Sequence, residues 1–378
     1  MLNIVADQNI PLASELFGSL GAVTLVDGRT LSAADLTEAD VLLVRSVTRV
    51  DEQLLSGSTV QFVGSATAGY DHLDLAYLQQ RNVRYALASG ANAESVVEYV
   101  LAAICSQPDR FERLTNGARL GVVGYGHVGR RLVEVANCLG IDVSVYDPFV
   151  DCGAYAADLD YVLKSDVISL HCELTNSGPF PSKHLLNADR LGCLAEGQLL
   201  INAARGSVID NEALLVRLHQ PNAPTVILDC WEHEPLIDAR LVPMLSLATP
   251  HIAGYSYDGK VRGTKMLRDA LTQYLGCPES DFTFGNGLCL DLDNSEAFFS
   301  TLSNLLARVY RIDSDDTRFR SALTNALSDK DGHWFDELRR CYPIRRELMG
   351  ATVYHDQGNE TAQILAQCFQ LQLIERGA

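Results

Sequence analysis

The chain has no Cys-x-x-Cys pair and no cysteine–histidine group at zinc-binding spacing, which excludes a zinc ribbon and a dithiol redox motif. Its 10 cysteines are scattered, as expected for reduced, mostly buried thiols in a cytoplasmic protein. No apolar run reaches membrane length, and residue 7 is already Asp, so neither a membrane helix nor a signal peptide is expected. Basic residues are scarce: 30 Lys and Arg face 48 Asp and Glu, for a net charge of −18. That balance argues against nucleic acid or a membrane surface as partner, because phosphate backbones would be repelled. Any phosphate on a ligand must then be held by a local basic or N–H-rich pocket. Internal repeats and low-complexity segments are also missing.

What is present is 378 residues with 47% hydrophobic content, enough for ordinary cores in two or three domains. The first ninety or so residues alternate strand-like runs (2–6, 41–44, 60–63) with helical ones (12–20, 73–80), the pattern of a parallel α/β unit. A long helix is predicted from about 91 to 105, with Asn92 as N-cap. Later strands are predicted at 141–146, 167–170, 199–202, 226–229 and 246–249, followed by a helix over 256–275 and a turn-rich stretch near 276–287.

Residues 119–129 form a short apolar strand, a glycine turn and a helix start. Gly124 suits the tight turn, Gly126 lets the backbone approach a pyrophosphate, and Gly129 lets the helix lie close to the strand. Tyr125, His127 and Val128 complete the turn, and the N–H groups of a helix starting at His127 face the phosphates. Asp147 ends the next strand about 20 residues on, where a carboxylate accepts ribose hydroxyls and repels a 2′-phosphate. This pattern predicts NAD as the cofactor.

Each later strand ends in small and polar residues, and in an open parallel sheet ligands bind outside the carboxyl ends. Three strand-end residues suit a 2-hydroxy acid. Arg205 offers a fork for the carboxylate. His251 is a proton acceptor for the hydroxyl, and Glu234 orients and raises the pKa of that imidazole. Asp229 is read as an acceptor for the nicotinamide carboxamide.

The segments Asn202-Ala203-Ala204-Arg205-Gly206, Glu234-Pro235 and Thr249-Pro250-His251-Ile252-Ala253-Gly254 resemble the D-isomer-specific 2-hydroxyacid dehydrogenases. The resemblance covers roughly residues 1–275 and implies catalytic Arg205, Glu234 and His251. It implies cofactor contacts at Ala203, Asp229, Gly254 and Cys172. The last departs from the family pattern, because the run is His171-Cys172-Glu173-Leu174 where relatives usually have a Thr or Val, then Pro, after the His. Val44-Arg45-Ser46-Val47-Thr48 and the segment from Ser65 to Asp74 resemble a branch acting on a small phosphorylated 2-hydroxy acid of vitamin B6 synthesis. That likeness assigns Ser46, Thr67, Arg205 and Tyr255 to the substrate. The tail, with Tyr310-Arg311-Ile312-Asp313 and Tyr342-Pro343-Ile344-Arg345-Arg346-Glu347, is similar to that branch's dimerisation module, so a homodimer is implied. Arg345 and Arg346 are candidates for a substrate phosphate.

The implied fold is α/β: two Rossmann-like doubly wound parallel-sheet domains plus a C-terminal α+β dimerisation domain. Its implied boundaries are 1–92 with 256–286 for substrate, 93–255 for NAD, and 287–378 for dimerisation. No metal is expected. Two other readings stay open: a phosphoglycerate-type dehydrogenase, and an NAD-sensing corepressor-like interaction protein.

Overall fold

The computed structural model describes residues 1–278, 282, 285, 287–292, 297–326 and 331–376. The chain divides into two compact units, Met1–Ala93 with Ser256–Asn286, and Glu94–Tyr255 with Gly287–Ala378. The expected boundary at 286 and the chain end at 378 lie outside the described residues.

The first unit holds β1 (Leu2–Asp7), β2 (Gly21–Val26), β3 (Val41–Val44), β4 (Phe62–Ser65) and β5 (Arg84–Leu87), in the order β2-β1-β3-β4-β5. All pairings are parallel. The central strands β3 and β4 are buried along their whole length, as a sheet covered on both faces requires. Leu267 and Leu271 of the Tyr257–Leu275 helix pack with Ile4, Leu43 and Phe62 on one of those faces. Ser256 caps this helix by accepting from the Gly259 N–H.

The second unit is built on β6 (Arg119–Val123), β7 (Asp142–Tyr146), β8 (Val167–Leu170), β9 (Leu199–Asn202), β10 (Thr225–Leu228) and β11 (Leu247–Ala248). Their order, β11-β10-β9-β8-β6-β7, reverses between β8 and β6, which is the switch point of a doubly wound sheet. Helices Ala93–Cys105 and His127–Cys138 belong to its packed layers, contributing Val97, Leu101, Leu132 and Val135 to one core.

The C-terminal residues join that same core. Leu302, Leu305, Leu306 and Val309 of the Phe298–Val309 helix are buried in one cluster with Tyr99 and Leu120. A parallel three-stranded sheet, β12 (Cys289–Asp291), β13 (Thr352–His355) and β14 (Gln372–Glu375), follows the order β12-β13-β14. Asp316, on the Ile312–Asn325 helix, accepts the Ala248 N–H on edge strand β11 at 2.7 Å. Arg320 of the same helix donates to Val242 O and Leu245 O.

One thiol pair departs from the reduced state expected from composition. Cys138 and Cys368 form a disulfide with Cα atoms 5.5 Å apart, joining the His127–Cys138 helix to the Glu360–Phe369 helix. The two residues are 230 positions apart, so no local spacing announces the pair. No helix among the described residues is long and apolar enough to cross a membrane.

Candidate active site

The glycine turn sits at the switch point. Gly124 has φ of 101°, and a Cβ there would lie 2.6 Å from Cys172 N and from His171 C, so the turn closes tightly on the end of β8. A Cβ on Gly129 would lie 2.0 Å from Gly124 O, which is the close helix-to-strand approach expected of that position. At Gly126 the opposite holds: nothing lies within 4 Å of the Cβ direction, and both Gly126 and His127 are exposed. The space a pyrophosphate needs is therefore open beside the start of the His127–Cys138 helix. Asp147 follows β7 and turns back on this loop, accepting from Tyr125 N at 2.7 Å and from Phe149 N at 2.9 Å. These residues fit a dinucleotide.

Cys172 stands beside Gly124, and burial pushes its thiol up to about 12, so it stays neutral. His171 donates or accepts with Ser169 Oγ at 2.8 Å, and burial pushes its imidazole down to about 3. Ala203 is half-buried at the end of β9.

Strands β9, β10 and β11 are neighbours, so the residues that follow them share one edge of the sheet. Asn202 braces the loop after β9: its Nδ2 donates to Arg205 O, and its Oδ1 accepts from Ala204 N. A Cβ on Gly206 would lie 1.9 Å from Trp231 C, so the Arg205 loop lies directly against the loop after β10. Cys230 Sγ donates to Ala204 O at 3.3 Å, and the same buried side chain favours the charged form of His251. One buried thiol thus links the arginine's loop to the imidazole.

His251 Nδ1 and Glu234 Oε1 are 2.5 Å apart, while Glu234 Oε2 accepts from Trp231 N at 3.2 Å. Burial opposes a charged imidazole, but the Cys230 and Glu234 side chains outweigh it and hold His251 well above the ordinary histidine value. Burial likewise raises the Glu234 carboxyl, and His251, the Trp231 amide and Arg339 together bring it below the usual carboxylate value. His251 has φ of 56°, a left-handed backbone uncommon outside glycine.

Asp229 holds that backbone in place. Its main-chain oxygen accepts from His251 N at 2.8 Å. Its carboxylate accepts from Thr249 Oγ1 (2.7 Å), Ile252 N (2.8 Å) and Ala253 N (3.0 Å). Tyr99 Oη donates to Thr249 Oγ1 at 2.8 Å, completing a buried relay that the sequence did not suggest. Burial raises the Asp229 carboxyl despite the nearby His251. Three of its acceptor positions are spent on the protein, so Asp229 fixes the His251 loop whatever else it binds. Gly254 follows in the same loop and is half-buried.

The C-terminal residues complete the surroundings. Tyr310 Oη donates to Ile252 O, and Arg345 Nε donates to Tyr255 O at 3.0 Å. Arg345 also bonds Glu98, Ser95 and Ala253 O, and only 7% of it is exposed. Its guanidinium is committed to the fold, which corrects the expectation that it reaches a substrate phosphate. Phe319 stacks on Trp231, with ring centroids 5.2 Å apart and planes 19° apart.

In the first unit, Ser46 is exposed and Thr67 half-buried. Thr67 Oγ1 lies 3.0 Å from Ser65 Oγ, which in turn lies 2.9 Å from His72 Nε2. Arg45 pairs with buried Asp7 at 3.2 Å. Elsewhere, His184, Asp210 and Glu232 gather closely enough to hold a cation. They already satisfy one another and the backbone: His184 Nε2 meets Glu232 Oε1 at 2.6 Å, and Glu232 Oε2 accepts from Asn211 N.

Comparison with known proteins agrees with this geometry. Residues 83–253 match the family model described as D-isomer specific 2-hydroxyacid dehydrogenase, NAD binding domain, and residues 290–368 match a domain of unknown function. The chain is 42% identical to an erythronate-4-phosphate dehydrogenase of Teredinibacter turnerae, over 92% of this chain and 93% of that protein. It is 43% identical to one of Pseudomonas entomophila, over 93% of each. Among solved structures, NAD+-bound 3-phosphoglycerate dehydrogenase of Entamoeba histolytica aligns with TM-score 0.62 and 22% identity, covering 75% of this chain and 99% of that one. D-lactate dehydrogenase of Aquifex aeolicus aligns with TM-score 0.59 and 23% identity, covering 72% and 95%.

Proposed function

Since the chain belongs to the erythronate-4-phosphate dehydrogenases of the D-isomer specific 2-hydroxyacid dehydrogenase family, we propose that it oxidises 4-phospho-D-erythronate to (R)-3-hydroxy-2-oxo-4-phosphooxybutanoate with NAD. The observation that carries this reading is the His251–Glu234 pair, on the carboxyl edge of a sheet whose glycine turn fits a dinucleotide. When bound, NAD supplies the nicotinamide that takes up hydride from the substrate carbon.

Gly124, Gly126, Gly129 and Asp147 hold the cofactor, with Tyr125, His127, Val128, Cys172, Ala203, Asp229 and Gly254 around it. Arg205 grips the substrate carboxylate through its fork and polarises the adjacent carbon–oxygen bond. His251 takes the hydroxyl proton. Because Glu234 holds Nδ1, the neutral ring carries its proton there and accepts at Nε2. Glu234 then stabilises the imidazolium that forms. Ser46, Thr67 and Tyr255 contact the substrate, and Arg45 provides local positive charge for an anionic group on an acidic protein. The protein acts as a cytoplasmic homodimer joined through its C-terminal residues.

Turnover on 4-phospho-D-erythronate against 3-phosphoglycerate tests the substrate. No NADH formation with the first would overturn the proposal in favour of a phosphoglycerate-type enzyme. His251→Gln tests the chemistry: it should bind NAD and lose most turnover, whereas unchanged turnover would refute the assigned base.

A further inference from the structure

The C-terminal residues bring one more cation to the catalytic pair. The His333–Arg340 helix begins after Gly332, where a Cβ would lie 2.9 Å from Pro235 Cβ, so the helix start lies against the Glu234-Pro235 turn. Phe335 of this helix is fully buried and meets Phe319, the ring that stacks on Trp231. The far end of the helix carries Arg339, whose guanidinium lies 5.7 Å from the centre of the Tyr255 ring.

Tyr255 and Glu234 both favour the charged form of this guanidinium. Its ion pair with Asp336, on its own helix, is long at 3.6 Å and partly exposed. Its Nε is buried and has no hydrogen-bond partner among the described residues. A fold seldom leaves such a donor unspent without a use for it. Among the described residues, Cys230 and Asp229 face His251, Glu234 faces His251, Cys230 and Arg339, and Arg339 faces Tyr255, Glu234 and Asp336.

We propose that Arg339 is a positioning residue of the dehydrogenase reaction, holding Tyr255 and the Glu234–His251 pair in working alignment from the C-terminal part of the chain. The proposal rests on the assignment of His251 and Glu234 given above. Arg339 acts through two contacts. It sets the Tyr255 side chain over the loop that carries His251. Its charge keeps Glu234 ionised and oriented while opposing excess positive charge on the imidazole.

Three variants of the full-length protein separate the possibilities: Arg339→Met, Arg339→Lys and, as reference, His251→Gln. Arg339→Met preserves bulk and removes both the charge and the N–H donors. It should lower kcat about tenfold, on the scale of small misalignments in a catalytic site, with a smaller change in KM. Loss of a nearby positive charge favours the imidazolium, so the acid limb of kcat/KM should move to higher pH. Arg339→Lys should return the limb to its original position and recover part of kcat. Native kcat and an unmoved limb in Arg339→Met would overturn the proposal. So would equal losses of activity and thermal stability in both variants with the limb unmoved, or failure of both to fold, since either marks a purely structural role. Full turnover in His251→Gln would instead bring down the site assignment on which the proposal stands.

Discussion

Asp229→Asn exchanges a carboxylate oxygen for an NH2 group and leaves the volume nearly unchanged. In the native loop the carboxylate accepts three hydrogen bonds, from Thr249 Oγ1, Ile252 N and Ala253 N. The amide has one acceptor oxygen. It can keep the Thr249 and Ile252 bonds, both made to Oδ1, and must then set its NH2 against the Ala253 N–H. An orphaned buried donor costs about 1–3 kcal/mol, and the surviving bonds lose their charge assistance. Working the other way, a neutral amide is easier to bury than a carboxylate whose pKa burial has already raised. The net penalty is about 1–3 kcal/mol, comparable with the strain of roughly 1–3 kcal/mol carried by a non-glycine residue at positive φ. His251 sits at such a φ, 56°, and Asp229 accepts from the His251 N–H and from those of the two residues after it, while Tyr310 and Arg345 hold the carbonyls farther along the loop. With penalty and strain of similar size, the loop relaxes locally and the unit stays folded. His251 then leaves its alignment with Glu234. NADH formation under steady state should show kcat/KM lowered on the order of 10- to 100-fold, with the urea midpoint nearly unchanged. A kcat/KM within about twofold of the native value would refute the idea that Asp229 holds the base in place.

Other expectations follow from the same geometry. Glu234→Gln removes the carboxylate that favours the imidazolium, so the acid limb of oxidation should move to lower pH while the plateau rate falls; a pH profile with the limb unmoved would contradict this. Gly129→Ala places a Cβ 2.0 Å from Gly124 O and must push the helix off the strand; titration should show NAD affinity weakened by about tenfold or more, and native affinity would count against the turn as the dinucleotide site. His171 has an ordinary value of 6.5 and a folded value of about 3. Below 6.5 the unfolded chain binds a proton that the folded one refuses, so this burial costs nothing above 6.5 and stability is lost as pH falls toward about 3. His171→Gln should therefore flatten the acid side of a stability–pH curve measured by urea unfolding, and an unchanged slope would refute it.

The parts of the fold that the sequence made legible are those whose signal is local. Strands β3, β8 and β9 match the predicted runs residue for residue, because strands buried on both faces are almost wholly apolar, with only Ser169 and Asn202 polar among them. The helix starting at His127 and the Gly124, Gly126 and Gly129 turn were equally plain, since spacing alone encodes them. Strands β2 and β5 were not foreseen. Both lie at sheet edges and are only partly buried, and their apolar runs are short, broken by Thr24 in β2 and headed by Arg84 in β5. Arg205, Glu234 and His251 were read from their places at strand ends, and the structure pairs His251 with Glu234. The places of Tyr99 and Cys230 beside that loop were not read, because they lie in contacts across the fold. Tyr99 meets a threonine 150 positions away, and Arg345, read from sequence as a free phosphate ligand, is spent on Glu98 at a separation of 247.

The capping of Ala248 by Asp316 bears on how this protein can be engineered. A tail that hangs from a linker can be cut away or exchanged like a cartridge. Here the last quarter of the chain caps the β11 edge of the coenzyme-binding sheet, and Phe319 stacks on Trp231 in the loop that carries Glu234. There is no clean seam for the scissors: an exchanged tail without an acceptor for Ala248 N–H and a ring for Trp231 would leave a raw strand edge and an unsupported Trp231.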